Sequence, residues 1–302
     1  MPENADNSPS DAAVVTVVSA FAPGSSLVEA VRSAIGQSSV VVVDDGSPAD
    51  GSVDATLDAV EGLGARVVRL PRNSGIGAAL NAGIRDALAD PDTSYVLTMD
   101  QDSTLPAGYV AILVSLADEA RTAGIRVGSV APEFAGGLRS NRSGELSGFV
   151  LAREPIQSGL LVPRDVLEKL GLLDEALFID GVDTEYFLRT TQEGARCLVA
   201  PGLATGHQLG GTLAVEVLGR SVPVTVASTF RYYYQQRNLV ILLRRWARRR
   251  PGWAATAVAK HVRHVAITTL LAPGRRARLA ELRAGLVDGL RGKTGRRPEP
   301  TR

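Results

Sequence analysis

Residues 95–102 read Tyr95-Val96-Leu97-Thr98-Met99-Asp100-Gln101-Asp102, an apolar run that stops at a pair of carboxylates. The run is short and rich in strand-forming side chains, which predicts a buried β-strand over 95–99 ending in an acidic turn. Upstream, Val14-Val15-Thr16-Val17-Val18 and Val40-Val41-Val42-Val43 are β-branched runs of the same kind, and 66–70 is a further strand. Helical spacing separates them: 27–35 behind the turn Pro23-Gly24-Ser25-Ser26, 53–63, and the Ala-rich 76–88 opened by Asn73-Ser74-Gly75. Strand and helix therefore alternate from 14 to 100. That rhythm predicts an α/β fold, a Rossmann-like, mostly parallel sheet flanked by helices. Such sheets bind ligands beyond the carboxyl ends of their strands. The clusters Asp44-Asp45 and Asp100-Gln101-Asp102 both close strands, so they are expected to converge on one crevice.

Past residue 105 the rhythm loosens. Helices are expected over 106–123, 165–170 and 183–193, and strands over 127–131 and 196–199. The Gly-, Arg- and Ser-rich stretch 134–147 reads as an exposed loop, and 224–250 as one long helix with a basic end. The Pro-, Asn- and Ser-rich residues 1–12 read as a disordered tail, without the basic and apolar regions of a signal peptide.

The chain of 302 residues is 45% hydrophobic and 22% charged, ordinary for a globular protein. Its charge is unevenly spread. Residues 244–302 hold 16 Lys+Arg against 3 Asp+Glu, and the remainder 17 against 29. An acidic body thus carries a basic extension. The single cysteine, Cys197, excludes a disulfide within the chain and sits in an apolar run as a small core residue. No run of about 18 apolar residues exists; the best stretch, 253–271, contains Lys260, His261, Arg263 and His264.

Two carboxylates on one turn repel unless a cation or donors compensate. At Asp100-Gln101-Asp102 a hard divalent ion, Mg²⁺ or Mn²⁺, would do so through oxygen ligands and leave positions for a diphosphate; a solvated turn is the alternative. Asp44-Asp45-Gly46-Ser47 reads either as a capped turn or as a carboxylate that receives a base or ribose. Around Phe178-Ile179-Asp180-Gly181-Val182-Asp183-Thr184-Glu185, three carboxylates fall within six residues at the start of a helix. Acids there suit the helix dipole, and one of them can also serve as a general base. His207 is either structural or a further metal ligand beside Asp102. Arg72-Asn73-Ser74-Gly75-Ile76-Gly77 lacks the third glycine spacing of a dinucleotide fingerprint, and no phosphate-binding G-x-x-x-x-G-K-[ST] loop occurs, which disfavours an oxidoreductase.

Together these pieces resemble the inverting family 2 glycosyltransferases of the GT-A fold. The resemblance spans 14–243 and rests on Val42-Val43-Asp44-Asp45-Gly46-Ser47, on Asn73, Gly75, Ala79, Asn81 and Gly83, and on Asp100-Gln101-Asp102. It continues through Gly171-Leu172-Leu173-Asp174-Glu175, Asp183-x-Glu185-Tyr186-x-x-Arg189, His207 and Arg231-Tyr232-Tyr233-x-x-x-Arg237-Asn238. Within the family it looks most like bacterial rhamnosyltransferases, with galactofuranosyltransferases as a second relative. It implies a domain over 13–243 and a basic helical membrane-proximal extension over 244–302.

The resemblance also implies roles. Ser19, Asp44, Asp45, Arg72, Gly75, Asn81, Asp100 and Gln101 would bind the nucleotide-sugar donor. Asp100, Asp102 and His207 would hold the metal, and Asp183 would be the catalytic base. The expected reaction is inverting transfer of L-rhamnose from dTDP-L-rhamnose to a glycan or lipid-linked acceptor, with another hexosyl or galactofuranosyl transfer as the alternative. A non-catalytic nucleotide-sugar-binding scaffold is the rival class. The late motif Gln-x-x-Arg-Trp of many relatives is replaced by Gln235-Gln236-Arg237-Asn238, which favours adding one or a few sugars over processive synthesis. Basic residues interleaved with Trp246, Trp253 and leucines suit an anionic membrane surface, on the inner face of the cell membrane, rather than nucleic acid.

Overall fold

A computed structural model describes residues 13–207, 212–217 and 220–298, with the side chains of His207 and of 212–225 outside the described part. The expected tail over 1–12 also lies outside it. The chain forms two compact units. The first comprises Met1–Asn73, Ala78–Leu173 and Tyr186–His207; the second comprises Ser74–Gly77, Asp174–Glu185 and Gln208–Arg302.

The first unit contains β1 (Ala13–Ala20), α1 (Ser25–Ile35), β2 (Ser39–Asp44), α2 (Gly51–Gly62), β3 (Arg66–Arg69), most of α3 (Ile76–Leu88) and β4 (Thr93–Asp100). It continues with β5 (Ser103–Thr104), α4 (Tyr109–Thr122), β6 (Val127–Ala135), β7 (Leu138–Arg139), β8 (Arg142–Leu146), β9 (Phe149–Ala152), β10 (Leu160–Pro163) and α5 (Arg164–Leu170). The last part of α6 (Val182–Gln192) and β11 (Arg196–His207) complete it. The strand order is β3-β2-β1-β4-β10-β6-β11-β9-β8. β1, β2, β3 and β4 are parallel, β6 and β11 are parallel to each other, and β10 runs antiparallel between β4 and β6. The expected α/β architecture is present. β1 and β2 are buried on both faces because helices cover both sides, which is why their sequences are continuous rather than alternating apolar runs.

One expectation fails here. The stretch 134–147 is not an open loop: β6 runs to Ala135, β7 turns back on it, and β8 pairs with β9. Every residue of β8 is exposed, so it carries no apolar alternation to betray a strand. Charge organises it instead. The buried Glu133 carboxylate accepts from Arg139 Nε at 2.8 Å, from Arg142, and from the Gly202 N–H at 2.8 Å. The Gly202 N–H, then Arg139, hold its pKa below the usual carboxylate value.

The second unit contains the first turn of α6, a 3-10 turn at Glu175–Leu177, the hairpin of β12 (Thr212–Val217) and β13 (Arg220–Thr225), and the helices α7 (Thr229–Trp246), α8 (Pro251–Leu271) and α9 (Arg275–Leu290). The single helix expected over 224–250 is therefore shorter, because β13 occupies 220–225. Tyr233 and Tyr234 on α7 pack with Phe178 in the core of this unit. No helix among the described residues is long and apolar enough to cross a membrane.

Candidate active site

In the first unit, strand register assembles the acidic edge. Ser19 on β1 is the register partner of Val43 and of Asp100, and Ala20 that of Asp44. Adjacent strands lie about 4.8 Å apart, so Asp44 and Asp100 flank the end of β1 at one carboxyl edge. Asp44 and Asp45 are buried, whereas Ser19, Asp100, Gln101 and Asp102 are half-buried.

Short side chains then shape the loop after β1. The Ser47 hydroxyl donates to Asp44 Oδ1 and accepts the Ala22 N–H at 2.7 Å. Gln101 Oε1 accepts the Phe21 N–H at 2.7 Å. Gln101, expected among donor-binding residues, thus also ties Phe21 beside the acidic turn, while Ser47 holds Ala22. The Asp45 N–H donates to Ala20 O at 2.8 Å and the Leu70 N–H to Asp44 O at 2.8 Å, so the turns after β1, β2 and β3 are joined. Gly46 has φ +63, and a Cβ there would meet the Arg72 carbonyl carbon at 2.2 Å, so this junction requires glycine. Arg72 itself is exposed.

The turn after β4 is also anchored. Gln157 donates to Asp100 Oδ1, the Asp100 N–H donates to Ser158 Oγ at 3.1 Å, and the buried Ser103 hydroxyl meets Ser158 Oγ at 2.7 Å. Gln157 and Ser158 lie before β10 and had no motif to announce them. β5 pairs antiparallel with β11, and Ser103 faces His207. Opposed residues in such a pair have Cα atoms about 5 Å apart. His207 therefore enters the neighbourhood of Asp102 through its backbone. Among the described residues no three His, Cys, Asp or Glu side chains form a metal-binding group, and the His207 imidazole lies outside that description.

Asn81 also has a backbone partner. It is buried, its amide donates to Leu173 O at 2.9 Å, and its Oδ1 accepts the Leu173 N–H at 2.9 Å. Pairing a backbone this way ties α3 to the segment after α5.

The second unit holds Asp183 and Gly75. The chain reaches Asp183 through a contorted segment. Phe178 has φ +64 and ψ −64, and the Ile179 N–H donates to Leu177 O at 2.8 Å. This is the rare positive-φ γ-turn, which strains a residue with a side chain. Asp180 follows at φ +63 and Gly181 at φ +87. Gly75, at φ +95, lies so close that a Cβ would meet Phe178 O at 2.4 Å, and the Ile76 N–H donates to that oxygen at 2.9 Å.

Helix α7 holds this segment in place. The Asn238 amide lies 2.9, 2.8 and 2.7 Å from the carbonyls of Leu177, Ile179 and Asp180. Arg237 is 1% exposed; its Nε fixes Asn238 Oδ1 at 2.9 Å and its Nη2 reaches Leu177 O at 2.9 Å. Its guanidinium lies 4.8 Å from the Tyr234 ring centroid. Arg231 grips the Asp180 carboxylate with two donors, Nε at 3.1 Å and Nη2 at 2.5 Å. Sequence reasoning left the role of Arg231, Arg237 and Asn238 open; they clamp the strained segment that leads into α6. Asp183 is half-buried in the first turn of α6, where its Oδ1 accepts the Thr184 N–H at 2.8 Å.

Residues 15–162 match the family model described as Glycosyl transferase family 2. The chain carries a glycosyl transferase family 2 domain over these residues. Among curated proteins it is 28% identical over 250 residues to a dTDP-rhamnosyl transferase, RfbF, of Shigella flexneri, covering 76% of this chain and 79% of that one. Solved structures share the fold of this glycosyltransferase. TarS of S. aureus matches with a TM-score of 0.55 at 16% identity over 83% of this chain, which spans 43% of the length of TarS. A mannosyltransferase of Pyrobaculum calidifontis, solved with GDP-Man and Mn²⁺, matches with a TM-score of 0.54 at 19% identity over 97% of this chain and 91% of that one. The GT-A expectation holds.

Proposed function

We propose that this glycosyltransferase moves L-rhamnose from dTDP-L-rhamnose, with inversion, onto a hydroxyl of a glycan or lipid-linked acceptor at the inner face of the cell membrane. The observation that carries the reading is the acidic edge itself: Asp44 and Asp100 on either side of the end of β1, with Asp102 one residue from the register partner of His207. The rhamnosyl transferase relative supports the donor. Asp44 and Asp45 receive the nucleoside, with Ser19, Arg72 and Gly75 lining the donor path. The functional domain covers 13–243, and 244–302 serves as its membrane-side extension.

Two carboxylates and an imidazole fit a hard divalent cation, Mg²⁺ or Mn²⁺, and Asp100, Asp102 and His207 would hold it. When bound, the ion offsets negative charge on the departing diphosphate. The solved mannosyltransferase with Mn²⁺ and a nucleotide sugar supports such a site. Asp183 takes the proton of the acceptor hydroxyl as its oxygen bonds to the anomeric carbon. The bond from that carbon to the diphosphate oxygen breaks on the opposite face. The Asn238 and Arg231 clamp sets the start of α6 so that the carboxylate is presented without rearrangement.

Nucleoside diphosphate release, measured over a panel of dTDP-, UDP- and GDP-sugars with and without EDTA, tests the reading. Release is expected with dTDP-L-rhamnose and lost on chelation. Faster release from a UDP-galactofuranose donor would replace the substrate, and full turnover under EDTA would remove the metal.

A further inference from the structure

Part of the aromatic and cationic set of the basic extension is turned inward. Trp246 and Trp253 are buried, Arg245 pairs with Asp174, and Arg244 donates to Leu290 O at 2.9 Å. Buried Arg278 donates to the carbonyls of Thr268 and Pro273, each at 2.8 Å. These aromatic and cationic groups build the second unit. What remains outside is a different set.

On α8, Val258, Val262, Ala266 and Leu270 recur every fourth residue, so they form one line along the helix. All four are exposed, Val262 at 59% and Leu270 at 81%. Ile267, Lys260 and Arg263 are exposed on the same helix. On α9, Leu279, Arg283, Leu286 and Leu290 follow the same logic at helical spacing, with Leu290 at 62% exposure and Arg275 and Arg276 exposed in the first turn. The acids of α9 are turned to internal partners: Glu281 pairs with Arg297 at 2.5 Å, and Asp288 with Lys293 and the Tyr233 hydroxyl, both at 2.9 Å. No Asp or Glu occurs anywhere from 217 to 280.

Exposed Leu and Val on single lines, with cations beside them and acids withdrawn, match an interface that is apolar inside and anionic at its rim. We propose that the outer faces of α8 and α9 dock on an anionic lipid surface, with Val262, Leu270, Leu279 and Leu286 entering the headgroup boundary and Arg263, Arg276 and Arg283 meeting lipid phosphates. This deepens the membrane-side reading above, but its test does not depend on sugar transfer. A soluble acidic protein would complement the charge and not the leucines, and neither helix is apolar enough to span the bilayer.

The full chain is pelleted, without nucleotide sugar, with vesicles of equal phosphatidylglycerol and phosphatidylcholine and with vesicles of phosphatidylcholine alone. Wild type should pellet with the anionic vesicles, at least about tenfold better than with the neutral ones, and less so at high salt. The double variant Val262→Glu/Leu270→Glu and the triple variant Arg263→Glu/Arg276→Glu/Arg283→Glu should each lose more than about tenfold in partitioning. All five side chains are exposed, so unchanged melting temperatures should accompany the loss. Wild type left in the supernatant, or both variants pelleting like wild type, overturns the proposal. So does a dimer on gel filtration that Val262→Glu/Leu270→Glu dissolves without altering pelleting, since the face would then belong to a second copy. Failure of the rhamnose assay with pelleting intact would sink the donor and leave the docking surface standing.

Discussion

The edge of β1, β2 and β4 and the segment before α6 both hold carboxylates in place, by opposite means. At the edge, regular register does the work, and short side chains close the turns: Ser47 on Asp44, Gln157 and Ser158 on Asp100. Before α6 the backbone is strained, with positive φ at Phe178, Asp180 and Gly181, and is over-determined by Asn238, Arg237 and Arg231 from a helix about fifty or more residues away in sequence. An edge built from local rules tolerates loss of one tie. A strained segment held by a few buried groups does not.

The largest test of that contrast is Asp183→Asn. It should lower nucleoside diphosphate release about 10²–10⁴-fold while calorimetric donor binding stays near wild type; comparable turnover would remove Asp183 from the chemistry. Next comes the clamp. Asn238→Ala removes the amide that faces the Ile179 and Asp180 carbonyls, while Leu177 O keeps Arg237; it should cost about 1–3 kcal/mol of stability in urea melts and up to about 10²-fold in kcat, with donor KM little changed. A fall in KM affinity with normal kcat would show that the clamp acts on the donor and not through the start of α6. At the edge, Ser47→Ala should cost only about 1 kcal/mol and raise donor KM more than it lowers kcat. An effect as large as that of Asn238→Ala would erase the distinction.

The smallest effect is set by pH. His261 and His264 sit on the inner side of α8, against Gln236 and the Tyr232 ring, and burial depresses both pKa values; each also feels a neighbouring charge, His264 on His261 and Arg278 on His264. Neutral imidazoles are favoured in the folded state, so their contribution is complete above the ordinary value of 6.5 and is lost as pH falls through the lowered folded values. The melting temperature should therefore drop on acidification below that value, and His264→Phe, which keeps the ring stacking, should flatten the drop.

Much of this was legible in the residues. The apolar runs ending in Asp44 and Asp100 announced parallel strands, because a strand covered on both faces must be apolar throughout, and their acidic ends marked the ligand edge. β8 was illegible, since an exposed strand held by Glu133, Arg139 and Arg142 carries no periodicity. The backbone partners of Asn81 and Gln101 were illegible because a polar side chain in a motif does not say which way it points; packing set them against Leu173 and Phe21. The conformation of Phe178 was equally invisible, because no local preference favours that φ, and it exists only where Gly75 makes room and Asn238 supplies donors. Sequence alone determined the alternation, the acidic turns and the charge of the C-terminal extension, which depend on neighbours within a few residues. Tertiary structure decided which tryptophans and arginines were interior, which leucines stayed outside, and what holds the approach to Asp183, because each depends on partners brought together only by folding.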